Sequence, residues 1–253
     1  MKKENIILWI SAAVISFLVI YASNLFSSDY PISGTFGING KKVSYRFEKT
    51  HYGQDSLNIV IRSDVKEIKG KVFWKYDNDS NWFSKEMLNS DLALSTKIQS
   101  IKPNHNIKYY VVLSYHDKEY FLPDNQKVEL KFFGKIPSLV GSLRFLLFNL
   151  GFLLIVRVGL EYFNKNEKIK KFEIFVAIIF LILTALVNPL YLSYKFGYIN
   201  TSIPSITQLF PIKELAITSL WIITIVLTFN SKKYRIYPLV SAIISIILLL
   251  IFN

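Results

Sequence analysis

The sequence contains no cysteine, which excludes disulfides, thiolate nucleophiles and thiolate metal sites. Histidine is scarce: His51, His105 and His116 all fall in a polar middle stretch, and the long apolar runs hold none. Bis-histidine haem within those runs is therefore excluded, and the spacing of the three matches no zinc motif. G-x-S-x-G, H-E-x-x-H and G-x-x-x-x-G-K are missing as well, so no residue is nominated as catalytic and no cofactor or metal is expected. Acidic residues are few, 18 against 30 basic, for a net charge of +12. An excess of that size raises nucleic-acid binding, and its distribution decides the matter.

From Asp29 to Lys135 there are 17 basic and 13 acidic residues, an ordinary balance of +4. Of the 13 basic residues elsewhere, ten gather in three places: Lys2 and Lys3; Arg157, Lys165, Lys168, Lys170 and Lys171; and Lys232, Lys233 and Arg235. Between these places lie uncharged runs at 6–26, 145–156, 174–192, 215–229 and 239–252. Several reach the roughly 20 residues that a membrane-spanning helix needs. With five spans the three basic clusters share one side, and excess Lys and Arg in short loops marks the cytoplasmic face. The N-terminus is then inside, while the middle segment, the loop around 194–213 and the C-terminus are outside. The charge reads as a topology signal, and nucleic acid is not an expected partner.

The first 28 residues start basic and continue with an apolar stretch longer than the 7 to 15 residues usual for a cleaved signal, without an A-x-A site. An uncleaved signal anchor is expected. From Pro31 the pattern changes to short alternating runs separated by turn residues. Asn39-Gly40 between two such runs is a hairpin signal, and SLNIVIRS, KGKVFWKYD, NWFSKEML, LALSTKI, IKYYVVLSYHDKEYFL and QKVELKFF follow at the spacing of a β-sandwich of about eight strands. In KVFWKY, Val72, Trp74 and Tyr76 share one face and Phe73 and Lys75 the other. Pro137 ends the strands. The expected organisation is a transmembrane anchor at 1–28, an extracytoplasmic antiparallel sandwich at 29–136, and four transmembrane helices within 137–253, at about 138–160, 172–194, 211–230 and 236–252.

Several stretches together carry a resemblance. WKY followed by W, then EML, IKYYVVL and GKIP, resemble fibronectin-like or immunoglobulin-like ectodomains. The whole chain resembles an uncharacterised family of bacterial multi-pass membrane proteins with one anchor helix, a β-sandwich and four C-terminal helices. Arg157-Val158-Gly159-Leu160-Glu161 keeps the family's R-x-G-L-E pattern. In the outer loop Phe196, Gly197, Thr201, Pro204, Leu209 and Lys213 keep its spacing, whereas Asn200, Ser202, Gln208 and Pro211 depart from it, the last two replacing aspartates. The resemblance implies topology and a bacterial cytoplasmic membrane. It implies no activity.

Arg144 lies 13 positions before Arg157. On a helix that is roughly 20 Å, less than the roughly 30 Å of bilayer hydrocarbon, so Arg144 sits below the outer boundary. Snorkelling to headgroups is favoured over an ion pair with Glu214. Arg157 is expected at the inner boundary, with Glu161 as an i,i+4 neighbour. Asn149, Gly151 and Asn188-Pro189 are assigned to packing and a kink. Tyr109, Tyr110, Tyr115 and Tyr120 divide by strand alternation between the core and an exposed face able to bind a sugar or protein. The expected function is non-enzymatic: helices in the lipid bilayer present the sandwich for binding or assembly with another envelope component. The competing class is a subunit of a membrane enzyme or redox complex, with a small-ligand site at Arg144, Lys195, Thr201, Lys213 and Glu214.

Overall fold

The structure is a computed structural model and describes residues 3–65, 67–77, 79–90, 92–124, 126–164, 168–200, 204, 206–231 and 234–251. Lys2, Lys165, Thr201, Ser202, Lys232 and Lys233, which entered the sequence reading, lie outside the described residues. The chain divides into two units. One comprises residues 29–136 with 195–197, and the other comprises 1–28, 137–194 and 198–253.

The first unit starts from the Asn39-Gly40 pair. Both residues have positive φ, 50° and 74°, as a two-residue hairpin of right-handed twist requires, and they join β1 (Ile32–Ile38) to β2 (Lys41–Phe47). The strands β3 (Thr50–Tyr52), β4 (Leu57–Ser63), β5 (Lys69–Tyr76), β6 (Phe83–Glu86), β7 (Leu88–Ser90), β8 (Ala93–Ile98), β9 (His105–Tyr115), β10 (Lys118–Leu122) and β11 (Val128–Phe133) follow. They form one sheet in the order β1-β2-β4-β8-β7 and a second in the order β3-β11-β9-β5-β6, with β10 paired to β9. Among the described residues there are eleven strands against about eight expected: β3 is a three-residue piece, and the NWFSKEML run divides into β6 and β7.

The second sheet is also not purely antiparallel as expected. Only Glu48 and Lys49 separate β2 from β3, so the chain changes sheets without reversing and β3 runs parallel to β11, with Lys131 opposite Thr50. Ile59, Ile61, Val72, Leu94, Ile107, Val111, Leu113 and Leu130 from both sheets bury in one core. The period of two holds along β5: Val72, Trp74 and Tyr76 pack on the core, and Phe73 turns outward to stack on Tyr110. On β9, Tyr109 is 1% exposed, and its hydroxyl donates to the Glu48 carbonyl at 3.1 Å. Burial, and secondarily the Glu48 carboxylate, push that phenol's pKa above its ordinary value.

The second unit is helical. It comprises α1 (Lys3–Leu25), α2 (Ser138–Leu160), α3 (Ile169–Ile182), a π-helical turn over Leu183–Val187, α4 (Asn188–Lys195, whose last residue belongs to the β unit), the short α5 (Ile206–Leu209), α6 (Ile212–Asn230) and α7 (Ile236–Ile251). Four helical stretches, Lys3–Leu25, Ser138–Phe163, Ile169–Lys195 and Ile212–Asn230, are long and apolar enough to cross a membrane. The fifth expected span is shorter: α7 has 16 residues, about 24 Å at 1.5 Å per residue. α2 packs on α1, α3 and α7, while α6 packs on α3 and α7.

Two glycines permit this closeness. A Cβ on Gly151 would stand 2.8 Å from the Phe180 ring, and one on Gly159 would stand 2.7 Å from the Ala242 Cβ. The polarity of the unit is the reverse of a water-soluble protein's. Ile7, Phe17, Phe145, Leu186 and Ile251 are each more than 60% exposed, while Arg157, Glu161, Glu173, Asn188, Glu214 and Ser245 are 1% exposed or less.

Candidate functional site

The buried polar side chains of the helical unit are joined to one another across helices. At the start of α6, Glu214 accepts a hydrogen bond from Arg144 Nη2 of α2 at 3.2 Å. Arg144 Nε donates to Asn188 Oδ1 at 3.0 Å, and its guanidinium lies 4.5 Å from the Tyr191 ring centroid. The expected snorkelling of Arg144 is therefore corrected. A carboxylate, an amide and an aromatic face all lie within reach of the guanidinium, and each is a better partner than a distant headgroup. Asn188, expected to serve packing, is a ligand to that arginine. The π turn over Leu183–Val187 precedes it, and an extra residue in a helical turn resets which side chains face inward.

A second cluster surrounds Arg157. Its Nη2 stands 2.6 Å from both Glu161 Oε1 and Asn5 Oδ1, and its guanidinium lies between Trp9 and Phe172, 5.2 and 5.4 Å from their ring centroids. Glu161 Oε2 accepts from Asn164 Nδ2 at 2.8 Å and from the Lys168 backbone N–H at 3.2 Å. The expected i,i+4 pair is present, and it is fully buried in a knot that ties α1, α2 and the start of α3 together, with Trp9 of α1 covering the guanidinium.

Between the clusters α6 carries a polar stripe, Glu214, Thr218, Trp221, Thr224 and Thr228, in steps of four and three along one helix face. The Thr218 hydroxyl meets that of Thr184 at 2.9 Å, Trp221 Nε1 donates to Ser245 at 3.1 Å, and the Thr224 hydroxyl meets that of Ser241 at 2.6 Å. Thr228 donates to the buried Glu173 at 2.8 Å. The helices thus carry more polar contacts than their uncharged runs suggest. Hydroxyls in long apolar helices satisfy the backbone of their own helix and escape hydropathy, as the Thr218 and Thr224 bonds to carbonyls four residues back illustrate. The helical spacing of the stripe is the signal that would have found it.

Of the five residues proposed for a small-ligand site, two are joined by a direct ion pair. Arg144 and Glu214 pair; Lys213 Nζ lies 5.9 Å from the Phe148 ring centroid; Thr201 is outside the described residues. Lys195 belongs to the β unit, where its Nζ sits 4.1 Å from the Phe133 ring centroid and its carbonyl accepts from the Gly134 N–H at 2.7 Å. Asn149, expected at a helix contact, is half-buried and donates to the Phe145 carbonyl of its own helix.

The histidines serve local roles. His51 Nε2 lies 2.6 Å from the Asp55 carbonyl, His105 Nδ1 lies 3.0 Å from the Pro103 carbonyl, and His116 takes a positive-φ turn position against Tyr115. Among the described residues no group of three or more His, Asp or Glu side chains is arranged to hold a metal ion.

No family model matches the chain. No curated protein matches it either. Among solved structures, one described as the crystal structure of a Br derivative of BhCBM56 is similar at 10% identity and a TM-score of 0.26, over 42% of this chain and 95% of that one. At that score it carries no weight for fold or function.

Proposed function

We propose that this chain is an integral protein of a bacterial cytoplasmic membrane, of the multi-pass family it resembles. Its helices cross the bilayer, with the Lys3 end and the basic turn near Lys170 and Lys171 in the cytosol. The β unit, an immunoglobulin- or fibronectin-like sandwich, is held outside for binding or assembly with another envelope component. The protein has no catalytic role.

The observation that carries this reading is the inverted polarity of the helical unit. Large apolar side chains lie outward, while Arg157 with Glu161 and Arg144 with Glu214 form ion pairs between or within the packed helices. In water such an exterior would aggregate, whereas in lipid it is the solvated state. An unpaired Arg or Glu at mid-bilayer costs about 2.5–3.5 kcal/mol on insertion scales, which accounts for their pairing. The internal bonds run from helix to helix and hold a scaffold together, as an anchor for the β unit requires.

A second reading draws on Asn188 Nδ2 and Glu214 Oε2, which are buried beside Arg144 without a hydrogen-bond partner among the described residues. A small polar ligand reaching them would make the chain a subunit of a membrane enzyme or redox complex. Purification from native membranes in mild detergent separates the two. A stoichiometric envelope protein that dissociates when the β unit is deleted supports assembly. Recovery of the protein alone at native abundance, or with a redox partner retained by the helices, contradicts it.

A further inference from the structure

Outside the helical unit the largest cluster of aromatic rings not used by a core lies on the outward face of the second sheet. Phe73 and Tyr110, opposite one another on β5 and β9, stack with centroids 5.1 Å apart and planes 7° from parallel. Trp82 meets Tyr110 edge-on at 5.1 Å, and Phe121 of β10 extends the row at 6.4 Å. Trp82, Tyr110 and Phe121, with Pro123, Gln126 and Lys127, line a hollow of about 300 Å³. Phe121 is 53% exposed there, although no strand or helix of this unit needs it in that position.

Three lysines stand against these rings, with Glu86 opposite Lys71 on the neighbouring strand. Lys127 and Lys75 place their ammonium groups 4.9 and 5.6 Å from the Trp82 ring centroid, and Lys71 lies 5.4 Å from that of Phe73. None of these three lysines has an acidic partner within 4.0 Å among the described residues. Exposed ring surface fits the axial C–H face of a pyranose, and the lysines over these rings fit carboxylate or phosphate groups along the same chain. A neutral glycan would leave the lysines without counter-charge. A plain acidic peptide would leave the ring surface uncovered.

We infer that this platform binds an anionic saccharide chain, with sugar rings against Trp82, Tyr110 and Phe121 and acidic substituents at Lys71, Lys75 and Lys127. The site rests on the reading that the β unit is a binding module, and it names the chemistry of what that module holds. Because the binding surface lies wholly within the β unit, the test is made on the full chain in detergent micelles and does not depend on membrane orientation.

Binding of oligogalacturonate is measured by calorimetry beside neutral dextran of equal length and polyglutamate of equal charge. Oligogalacturonate binds, and the other two bind at least about tenfold more weakly, the factor that corresponds to losing one stacked ring or its equivalent. Trp82→Ala and the milder Phe121→Ser each weaken binding about tenfold. Phe121 is exposed, so its variant tests the site even if the Trp82 variant fails to fold. Lys75→Gln with Lys127→Gln weakens binding and flattens its salt dependence. Absence of oligogalacturonate binding, equal binding of polyglutamate, or unchanged affinity in Phe121→Ser overturns the inference. None of those results bears on whether the helices cross a membrane or whether a protein partner copurifies.

Discussion

Replacing Arg157 by alanine removes, in one step, the ion pair to Glu161, the bond to Asn5 and the cation facing Trp9 and Phe172. Glu161 is left 1% exposed, with only Asn164 and one backbone N–H on its second oxygen. Breaking a buried pair from one side costs about 3–5 kcal/mol, because the remaining charge has neither water nor a counter-ion. In a chain of this size about 1 kcal/mol moves the melting point by 2–4 °C, so Arg157→Ala should melt of order 10 °C lower. The assay is thermal unfolding in detergent followed by fluorescence-detected size exclusion. The double variant Arg157→Met with Glu161→Leu removes both charges and keeps the volume, and it should return to within about 1 kcal/mol of the parent. If Arg157→Ala melts within about 2 °C of the parent, or if the double variant is as unstable as the single one, the buried knot does not hold α1 to α2 and the reasoning fails.

Gly159→Leu forces a side chain into the 2.7 Å approach to Ala242 and should destabilise the α2–α7 contact by about 1–3 kcal/mol, read as a lower melting point; a neutral result contradicts the close packing. Ser245→Ala removes the acceptor of the Trp221 indole and should cost about 0.6–1.7 kcal/mol, read as a lower melting point; an unchanged one contradicts the bond. For the β unit, Tyr109 and Tyr45 have folded pKa values raised above the ordinary 10.0, both chiefly by burial. Their contribution is fully present below pH 10 and is lost as pH rises through the folded values, since only the unfolded chain gives up the protons readily. Tyr109→Phe should therefore show a shallower loss of strand circular dichroism above pH 10; an unchanged alkaline profile contradicts the assignment.

Much of the β unit was legible because its information is local. The Asn39-Gly40 hairpin needs two positive-φ residues, and the faces of Val72–Tyr76 follow from alternation alone. Tyr109 inside and Tyr110 outside follow from the same rule once one face is known to be core. The parallel β3–β11 pair was not legible, because a sheet change over two residues leaves no mark in a period-two pattern. In the helices, four apolar stretches of the described residues have the length a span needs, and α7, at 16 residues, is shorter than those four.

The polar interior was missed for a different reason. Hydropathy averages over a window, so Glu173, Asn188 and the threonines of α6 vanish into their apolar neighbours, although they decide how the helices meet. Arg144 was noticed for its depth and Glu214 named as the alternative to snorkelling, but choosing the pair needs a contact 70 residues away that the packed fold supplies. Of the small-ligand residues, the pair Arg144 and Glu214 could be nominated from charge and position, while Lys195 bonds within the other unit.

The absence of native cysteine makes the central claim directly measurable. Single cysteines are placed at exposed Ser84 of β6 and at exposed Lys171 near the start of α3, and intact spheroplasts are treated with a membrane-impermeant maleimide. The account predicts that Ser84→Cys is labelled at once and Lys171→Cys only after lysis. Labelling of Lys171→Cys in intact spheroplasts while Ser84→Cys stays protected would contradict it.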